Sequence, residues 1–396
     1  MKRNQVFQKI IEDLDFAIQW LPEAGSEEAN RLNKDIARHV KARFCLNEGT
    51  HYKYHDELEY ASEAEKWLQM AATESDKLIT SRRYEIYNTG HPQEDYFNMY
   101  RIDDKSDLKE AVLYVDYKTN IREHNMAAAG REAGCGFSKS FVESFLCSDG
   151  LPISLSNKYL GDETMRKETA NRDPRLKQLI LTNDFPTNVT DDLKDSTFVV
   201  NEDEFITQHC FTGYRPIKGF NPIYSQALYM KSSFDGIAYR YAETLLINAE
   251  AKAELNTITD ADLDRTINQL RDRVGMPHLT VNVGFTDPKW PDWGYSLSPV
   301  LQEIRRERCI ELAGEGFRFN DLKRWKAGKL LNNVLTYVGK RKPDGNLAIV
   351  YPNYTNPDLS YQAGKSRTWE DKMYLYPIPT GELQRNPQLL PQNPGW

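Results

Sequence analysis

The chain has 396 residues, 40% of them hydrophobic and 28% charged, an ordinary globular composition on a chain longer than one compact core usually holds. Its net charge of −7 excludes nucleic acid as the main partner, because phosphate binding needs a positive field. No apolar run reaches the roughly 18 residues of a membrane-spanning helix, and the opening MKRNQVFQKIIEDLDFAIQWLP lacks the apolar core and cleavage site of a signal peptide.

The first third reads as helical. Val6–Leu21 carries Phe7, Ile10, Leu14, Ala17 and Leu21 at helical spacing and ends at Pro22. Asn33–Cys45 places Ile36, Val40 and Phe44 on one stripe, and Glu57–Leu78 places Ala61, Ala64, Leu68, Ala71 and Ala72 on another. Small residues let antiparallel helices approach closely, and the short connectors suggest hairpins stacked like tetratricopeptide units, although no strict repeat period is present. Residues 81–235 change character. Tyr84–Asn88 reads as extended, Glu110–Tyr117 alternates like a strand, Gly130, Gly134 and Gly136 mark a loop, and five prolines from Pro152 to Pro222 punctuate the rest. Helices return at Ile237–Leu255, with Tyr241, Leu245, Ala249 and Ala253 in one stripe, at Asp260–Val274, capped by Thr259 or Asp260, and at Pro299–Ala313. Gly314 and Gly316 close the last of these, and Phe317, Phe319, Leu322 and Trp325 restart an apolar stripe with Asp321 and Arg324 on its polar side. The tail from Asn332 reads as mostly irregular.

The chemistry-bearing candidates weigh differently. The five cysteines, Cys45, Cys135, Cys147, Cys210 and Cys309, form no C-x-x-C pair, so neither zinc nor a redox motif is suggested. Cys45 and Cys309 lie in helical patterns and read as small buried apolar residues. His51 and His55 have the spacing of a helical metal pair but no third ligand motif, so a polar turn is the better reading. Gly130–Gly136 lacks the G-K-[ST] of a phosphate loop, and Asp260, Asp262 and Asp264 lack the glycine and closing glutamate of a calcium loop. Asn188 and Asn353 stand in N-x-T sequons. The run Arg305, Arg306, Glu307, Arg308 and Glu311 reads as an ion-pair network holding helices to the core, since no histidine or second isolated carboxylate completes an acid/base set. Binding chemistry is better served by Tyr117–Arg131, which holds Tyr117, Asn120, Arg122, His124, Asn125 and Arg131. An aromatic ring stacks on the C–H face of a sugar, and planar amide or guanidinium groups bond its hydroxyls. Trp290, Trp293 and Tyr295 form a second aromatic loop, for which core or partner contact ranks ahead of ligand stacking. The 22 Tyr, 16 Phe and 7 Trp suit such a role, although most aromatic rings simply fill cores.

The segment Leu301–Trp325, LQEIRRERCIELAGEGFRFNDLKRW, resembles the C-terminal signature of the SusD/RagB family, RRER-x-x-EL-x-x-EG-x-R-x-x-DL-x-R-W, at every anchor from Arg305 to Trp325. Tyr239–Asn256 is similar to the family's R-x-A-E-x-x-L-x-x-A-E-A helix, Thr266–Pro277 to its I-N-x-x-R-x-R-x-G segment, and Asn171–Leu176 to its R-D-P-R motif. Tyr374–Trp396 resembles the family's closing segment, and Gly49–His55 the turn after an early helix. The resemblance covers nearly the whole chain.

It implies a mainly α fold in which tetratricopeptide-like helical hairpins support an irregular, loop-rich lobe with a few short strands. The expected division is a hairpin region at 1–80, a ligand-binding lobe at 81–236, C-terminal tetratricopeptide-like helices at 237–330 and an irregular tail at 331–396. It further implies a cell-surface binding protein, not an enzyme, with no cofactor and no metal. Such a protein captures a glycan or oligopeptide and delivers it to a SusC-like TonB-dependent outer-membrane transporter. The ligand-binding residues expected are Tyr117, Asn120, Arg122, His124, Asn125 and Arg131, with Trp290 and Trp293. Family members begin with a signal peptide, a lipid-bearing cysteine and a further helical segment. The opening IIEDLDFAIQWLP resembles a point well inside the family, so anchor and segment are expected to be absent from this chain. Two other classes compete with this reading. A helical-toroid glycoside hydrolase would need two essential carboxylates in a cleft, and an intracellular tetratricopeptide scaffold would lack any lipidation signal upstream.

Overall fold

The computed structural model describes residues 2–26, 30–126, 136–183, 185, 201–202, 205–206, 210–221, 223–349 and 368–396. The chain begins with three long helices, α1 (Arg3–Trp20), α2 (Lys34–Tyr54) and α3 (Ala61–Ser81). Asn33 caps α2 by accepting from the Asp35 and Ile36 amides at 3.0 and 3.1 Å. The helix runs nine residues beyond Cys45 and takes in most of the GTHYKYH segment expected to turn. Gly49 is helical for a packing reason, since a Cβ there would lie 2.9 Å from Leu68 Cγ on α3. Small residues do the same along the interface, with Ala42, Ala71 and Ala251 fully buried around Trp67 and Tyr52. On α1, Phe7 and Ile11 are buried and Leu14 packs partly buried against the same core, while Phe16 and Trp20, off the expected stripe, are 64% and 68% exposed.

The irregular lobe holds short helices, α4 (Asp95–Tyr100), α5 (Lys139–Ser144), α6 (Met165–Thr169), α7 (Arg175–Leu179) and α8 (Tyr224–Ala227), around a core that includes Tyr96, Phe145, Leu176 and Tyr214. Strand β1 (Ala111–Val115) pairs antiparallel with β2 (Gly236–Arg240), Ala111 facing Arg240 and Val115 facing Gly236. The expected helix from Ile237 therefore begins later, at α9 (Tyr241–Glu254). The β-branched and aromatic run before it finds a strand partner far away in sequence, which helical periodicity cannot register. Arg240 is thereby delivered into the core at 1% exposure.

Helix α9 is central, and Lys252 is its only residue that is not buried. Tyr241, Leu245 and Ala249 join one core cluster while Ile247 and Ala251 join another. The next expected helix is broken into α10 (Asp260–Asp264) and α11 (Ile267–Arg273). Thr259 and Asp262 form a capping box on α10. Helix α12 (Pro299–Glu311) and helix α13 (Arg318–Arg324) follow. In the described part of the tail, strands β3 (Val338–Arg341) and β4 (Leu347–Ile349) form a hairpin, and α14 (Thr380–Arg385) lies further on. None of the described helices is long and apolar enough to cross a membrane.

Candidate ligand-binding site

Three buried carboxylates of α9, Glu243, Glu250 and Glu254, sit at seven- and four-residue spacing, on one helical stripe. Between them they tie α2, α12 and α13 to α9. Glu243 holds Arg43 of α2 and accepts from His39 Nε2 at 3.0 Å. Glu250 takes a two-pronged bond from Arg324 of α13, at 2.5 and 2.7 Å, and a third from Trp325 Nε1 at 2.7 Å. Glu254 binds Arg305 of α12 at 2.8 Å and the Tyr54 hydroxyl at 2.6 Å. Asp321 and Arg324 are thus 3% and 2% exposed, so the polar side expected on α13 is buried.

A second buried cluster is centred on Glu311. Its carboxylate meets Arg240 at 2.6 Å, Arg273 at 2.6 Å and Arg175 at 3.0 Å. Glu307 bonds Arg175 and Arg271, Glu110 bonds Arg240, and Asp173 bonds Arg175. Lys218 and Glu315 extend the cluster, the ammonium bonding Glu315 at 2.6 Å and the Ala313 carbonyl at 2.7 Å. Five cations therefore face five carboxylates. Burial alone would raise the Glu311 pKa, but Arg273, Arg240 and Arg175 hold it well below the ordinary carboxylate value. Burial pulls the Lys218 ammonium down to about 8 against the opposing pull of Glu315. The R-D-P-R, R-x-A-E, R-x-R-x-G and signature segments supply most of these groups. Their spacing in sequence records one ion cluster, and it carries no catalytic pair.

The loop candidates lie elsewhere. Tyr117, Asn120, Arg122, His124 and Asn125 come together on one small hairpin, in which Lys118 and Arg122 exchange backbone bonds at 2.8 and 2.9 Å. Asn120 takes the left-handed turn at φ 62°, which asparagine tolerates. The Arg122 guanidinium lies 4.9 Å from the Tyr117 ring centre, and the His124 ring meets Tyr117 edge-on at 4.4 Å. His124 Nε2 pairs with the Phe234 carbonyl at 2.8 Å, and Asn125 accepts from the Met230 amide at 3.1 Å. Arg131, Cys135, Asn188 and Asn353 lie outside the described residues. Exposed side chains that the sequence reading missed are Ile121 on the hairpin, at 76%, and Tyr224 and Tyr229, at 60% and 74%, on the segment whose Met230 amide bonds Asn125. A pair of tyrosines five residues apart, just after Pro222, was the only available signal.

Two cavities flank α12 and α13. The larger, about 1080 Å³, borders the hairpin through Met126 and Asp235, the latter accepting from the Tyr117 amide at 2.8 Å. The smaller, about 720 Å³, is lined by Trp290, Phe141, Gln302, Arg306, Arg318 and Lys329, among others. Trp290 is half-buried, and its Nε1 donates to the buried Glu303 carboxylate at 2.7 Å, which fixes the ring. Trp293 is 6% exposed; it meets Trp325 edge-on at 5.5 Å and has Arg305 at 4.7 Å, so it serves the core and only borders the cavity. Neither cavity is lined by both candidate groups. Cys309, expected to be buried, is half-buried on the smaller cavity, because α12 turns that position away from its ion-pairing face. His51 and His55 stack at 4.0 Å with His55 bonded to Glu57 and the Lys323 carbonyl. Among the described residues, no three His, Cys, Asp or Glu side chains are arranged to hold a metal ion.

The fold and site define a tetratricopeptide-like helical scaffold locked by buried arginine–carboxylate pairs, with cavities where helices meet loops. The SusD family model matches residues 74–396, and the chain belongs to that family. SusD-like protein P2 of Formosa agariphila is 24% identical over 406 residues, covering 99% of this chain; the chain spans 65% of that relative's length. A SusD-like protein from Bacteroides fragilis superposes with a TM-score of 0.68 at 24% identity, covering 99% of this chain and 71% of that one. A second structure from the same species, a SusD-like carbohydrate binding protein, gives 0.66 at 21% identity, covering 98% and 72%. These structures are mainly helical and tetratricopeptide-like, as is this chain.

Proposed function

We propose that this protein binds a glycan at the bacterial outer surface and passes it, unbroken, to a TonB-dependent transporter of the SusC type. The observation that carries the binding step is the smaller cavity. It is large enough for an oligosaccharide segment, and a tryptophan whose indole is fixed by a buried carboxylate forms part of its wall. A fixed ring loses little conformational freedom on stacking. Membership of the SusD family supports the surface setting and the transporter partner, and one structural relative is described as carbohydrate binding. The hairpin at Tyr117, with the exposed Tyr224 and Tyr229, is the second contact surface in this reading. An oligopeptide is the alternative ligand.

One carboxylate of the smaller cavity, that of Asp287, supports binding over hydrolysis. Asp287 is held by Arg306 at 2.6 Å and by Ser154 at 2.8 Å, and the arginine keeps its pKa low despite burial. A general acid needs the opposite shift. The test is a soluble glycan and peptide array followed by titration of the hits against Trp290→Ala and Tyr117→Ala. Loss of binding at least tenfold in Trp290→Ala is expected. A hit that neither substitution weakens would remove the site assignment, and the release of new reducing ends from a bound polysaccharide would remove the non-enzymatic reading.

A further inference from the structure

The two cavities differ in charge. Five cationic and five acidic side chains line the larger one. Every one of those cations is in an ion pair: Arg43 with Glu243, Lys218 with Glu315, Arg240 with Glu311, Arg308 with Asp321 and Arg324 with Glu250. The smaller cavity is lined by five cationic but only three acidic side chains. Arg305 and Arg306 are committed to Glu254 and Asp287, and Lys289 reaches Glu143 at 3.4 Å. Arg318 and Lys329 are exposed and have no ion pair among the described residues. Asp292, which accepts from the Gly294 amide at 2.9 Å, is the opposing carboxylate without a cation partner. Of the five arginines between Leu301 and Trp325, Arg318 alone has no ion pair among the described residues, its guanidinium lying 5.9 Å from the Trp325 ring centre; Arg305, Arg306, Arg308 and Arg324 all hold carboxylates.

An acidic chain would be expected to neutralise its cations, as this one does everywhere around α9 and α12. Two exposed cations without a carboxylate partner among the described residues, on the wall of a cavity that also carries a fixed indole, form a complementary pair of features. A pyranose bearing an acid group offers both partners, a C–H face for the ring and an oxyanion for the cations. Arginine matches a carboxylate or sulfate with two parallel N–H donors, and lysine adds a mobile point charge. We infer that the smaller cavity is a subsite for an anionic sugar, a uronate or a sulfate ester, with its ring on Trp290 and its acid group at Arg318 and Lys329. The assignment rests on the glycan-binding reading above and narrows its ligand class.

The test is calorimetric titration of the full chain at low ionic strength with length-matched neutral, uronate and sulfated oligosaccharides, the neutral members spanning gluco-, galacto-, manno- and xylo-configured chains. At least one anionic member should bind ten times more tightly than its neutral counterpart. The two anionic arms tell carboxylate from sulfate. Raising the salt to 0.5 M should reduce that preference several-fold, because the cations are exposed and screened. In Arg318→Ala/Lys329→Ala the anionic-to-neutral ratio should fall towards one, with Lys329→Arg as the conservative control that keeps it. Equal binding of neutral and anionic members, or a preference unchanged in the double variant, overturns the inference. A neutral hit abolished by Trp290→Ala would do so while leaving the glycan reading in place. Silence across the whole panel overturns both.

Discussion

The two sides of α12 use the same residue types for different ends. With about 3.6 residues per turn, Glu307 and Glu311 face one way while Gln302, Arg306 and Cys309 face another. On the first side, Glu311 is 0% exposed and touches three arginines from three other segments. On the second, the wall of the smaller cavity carries an indole and two cations without an ion pair among the described residues. Charge matched by charge inside the protein marks architecture; charge left unmatched at a cavity marks a place for something else. A buried ion cluster is itself weak evidence for stability, because desolvation offsets much of the attraction. Its removal in part is costly, and that asymmetry separates the two sides experimentally.

The largest effect is expected at Glu311→Gln. Three buried guanidinium groups would lose their shared counter-charge, and removal of one partner from such a cluster costs about 3–5 kcal/mol. Denaturant titration should show the midpoint falling sharply, and a loss under 1 kcal/mol would mean that the cluster does not hold the lobes of the fold together. Acid should reproduce part of this loss. Glu311, Glu315 and Glu254 are held below the usual carboxylate pKa by arginine and lysine neighbours, against burial. Glu243 is held down to about 2 by His39 and Arg43. Groups with depressed folded pKa values contribute stability that is fully present above the unfolded value, and it is lost as pH falls through the folded one. Melting temperature should therefore decline progressively below about pH 4.5. In Glu311→Gln that acid branch should be flatter; an identical slope would reassign the acid sensitivity to other carboxylates.

These two sides were not equally legible in the sequence. Apolar stripes at Tyr241, Leu245 and Ala249 announced α9 because periodicity is local. The partners of Glu250 were not local: Arg324 lies 74 residues away and Trp325 lies 75 away. A charged residue whose counter-ion is so distant looks like a solvated face, which is why Asp321 and Arg324 read as polar surface. The expectation of an ion-pair network at Arg305–Glu311 came from the local run of arginine and glutamate at three- and four-residue spacing. The break between β2 and α9 was hidden for a related reason, since β1 lies over a hundred positions earlier. At the site, Trp290 carried a signal as one of three clustered aromatics. Lys329 carried none and Arg318 only its place as an anchor of the family signature, because lacking a counter-ion is a property of the fold and not of spacing.

A smaller effect distinguishes the ring of Trp290 from its anchor. Trp290→Phe keeps an aromatic face but gives up the bond to Glu303, whose other partner is Arg306 at 3.1 Å. The lost bond should cost about 1 kcal/mol of stability. Glycan affinity should fall by only a few-fold, against the tenfold or greater loss expected in Trp290→Ala. Equal losses in the two variants would mean that orientation through Glu303, and not the ring itself, is what the ligand requires.

The smallest expected effect is the most discriminating for the comparison. Arg318→Ala/Lys329→Ala removes two of the cations that line the smaller cavity, yet neither holds a carboxylate among the described residues. Surface substitutions of that kind usually change stability by no more than about 0.5 kcal/mol. The melting temperature of the double variant should match that of the parent, in contrast to Glu311→Gln on the same helical hairpin. A large drop would place Arg318 with Arg305, Arg306, Arg308 and Arg324 as one more structural arginine, and the cation excess at the cavity would lose its claim on a ligand. An unchanged melting curve combined with a lost preference for acidic sugars would mean that the two cations are kept for what enters the cavity, and not for the fold.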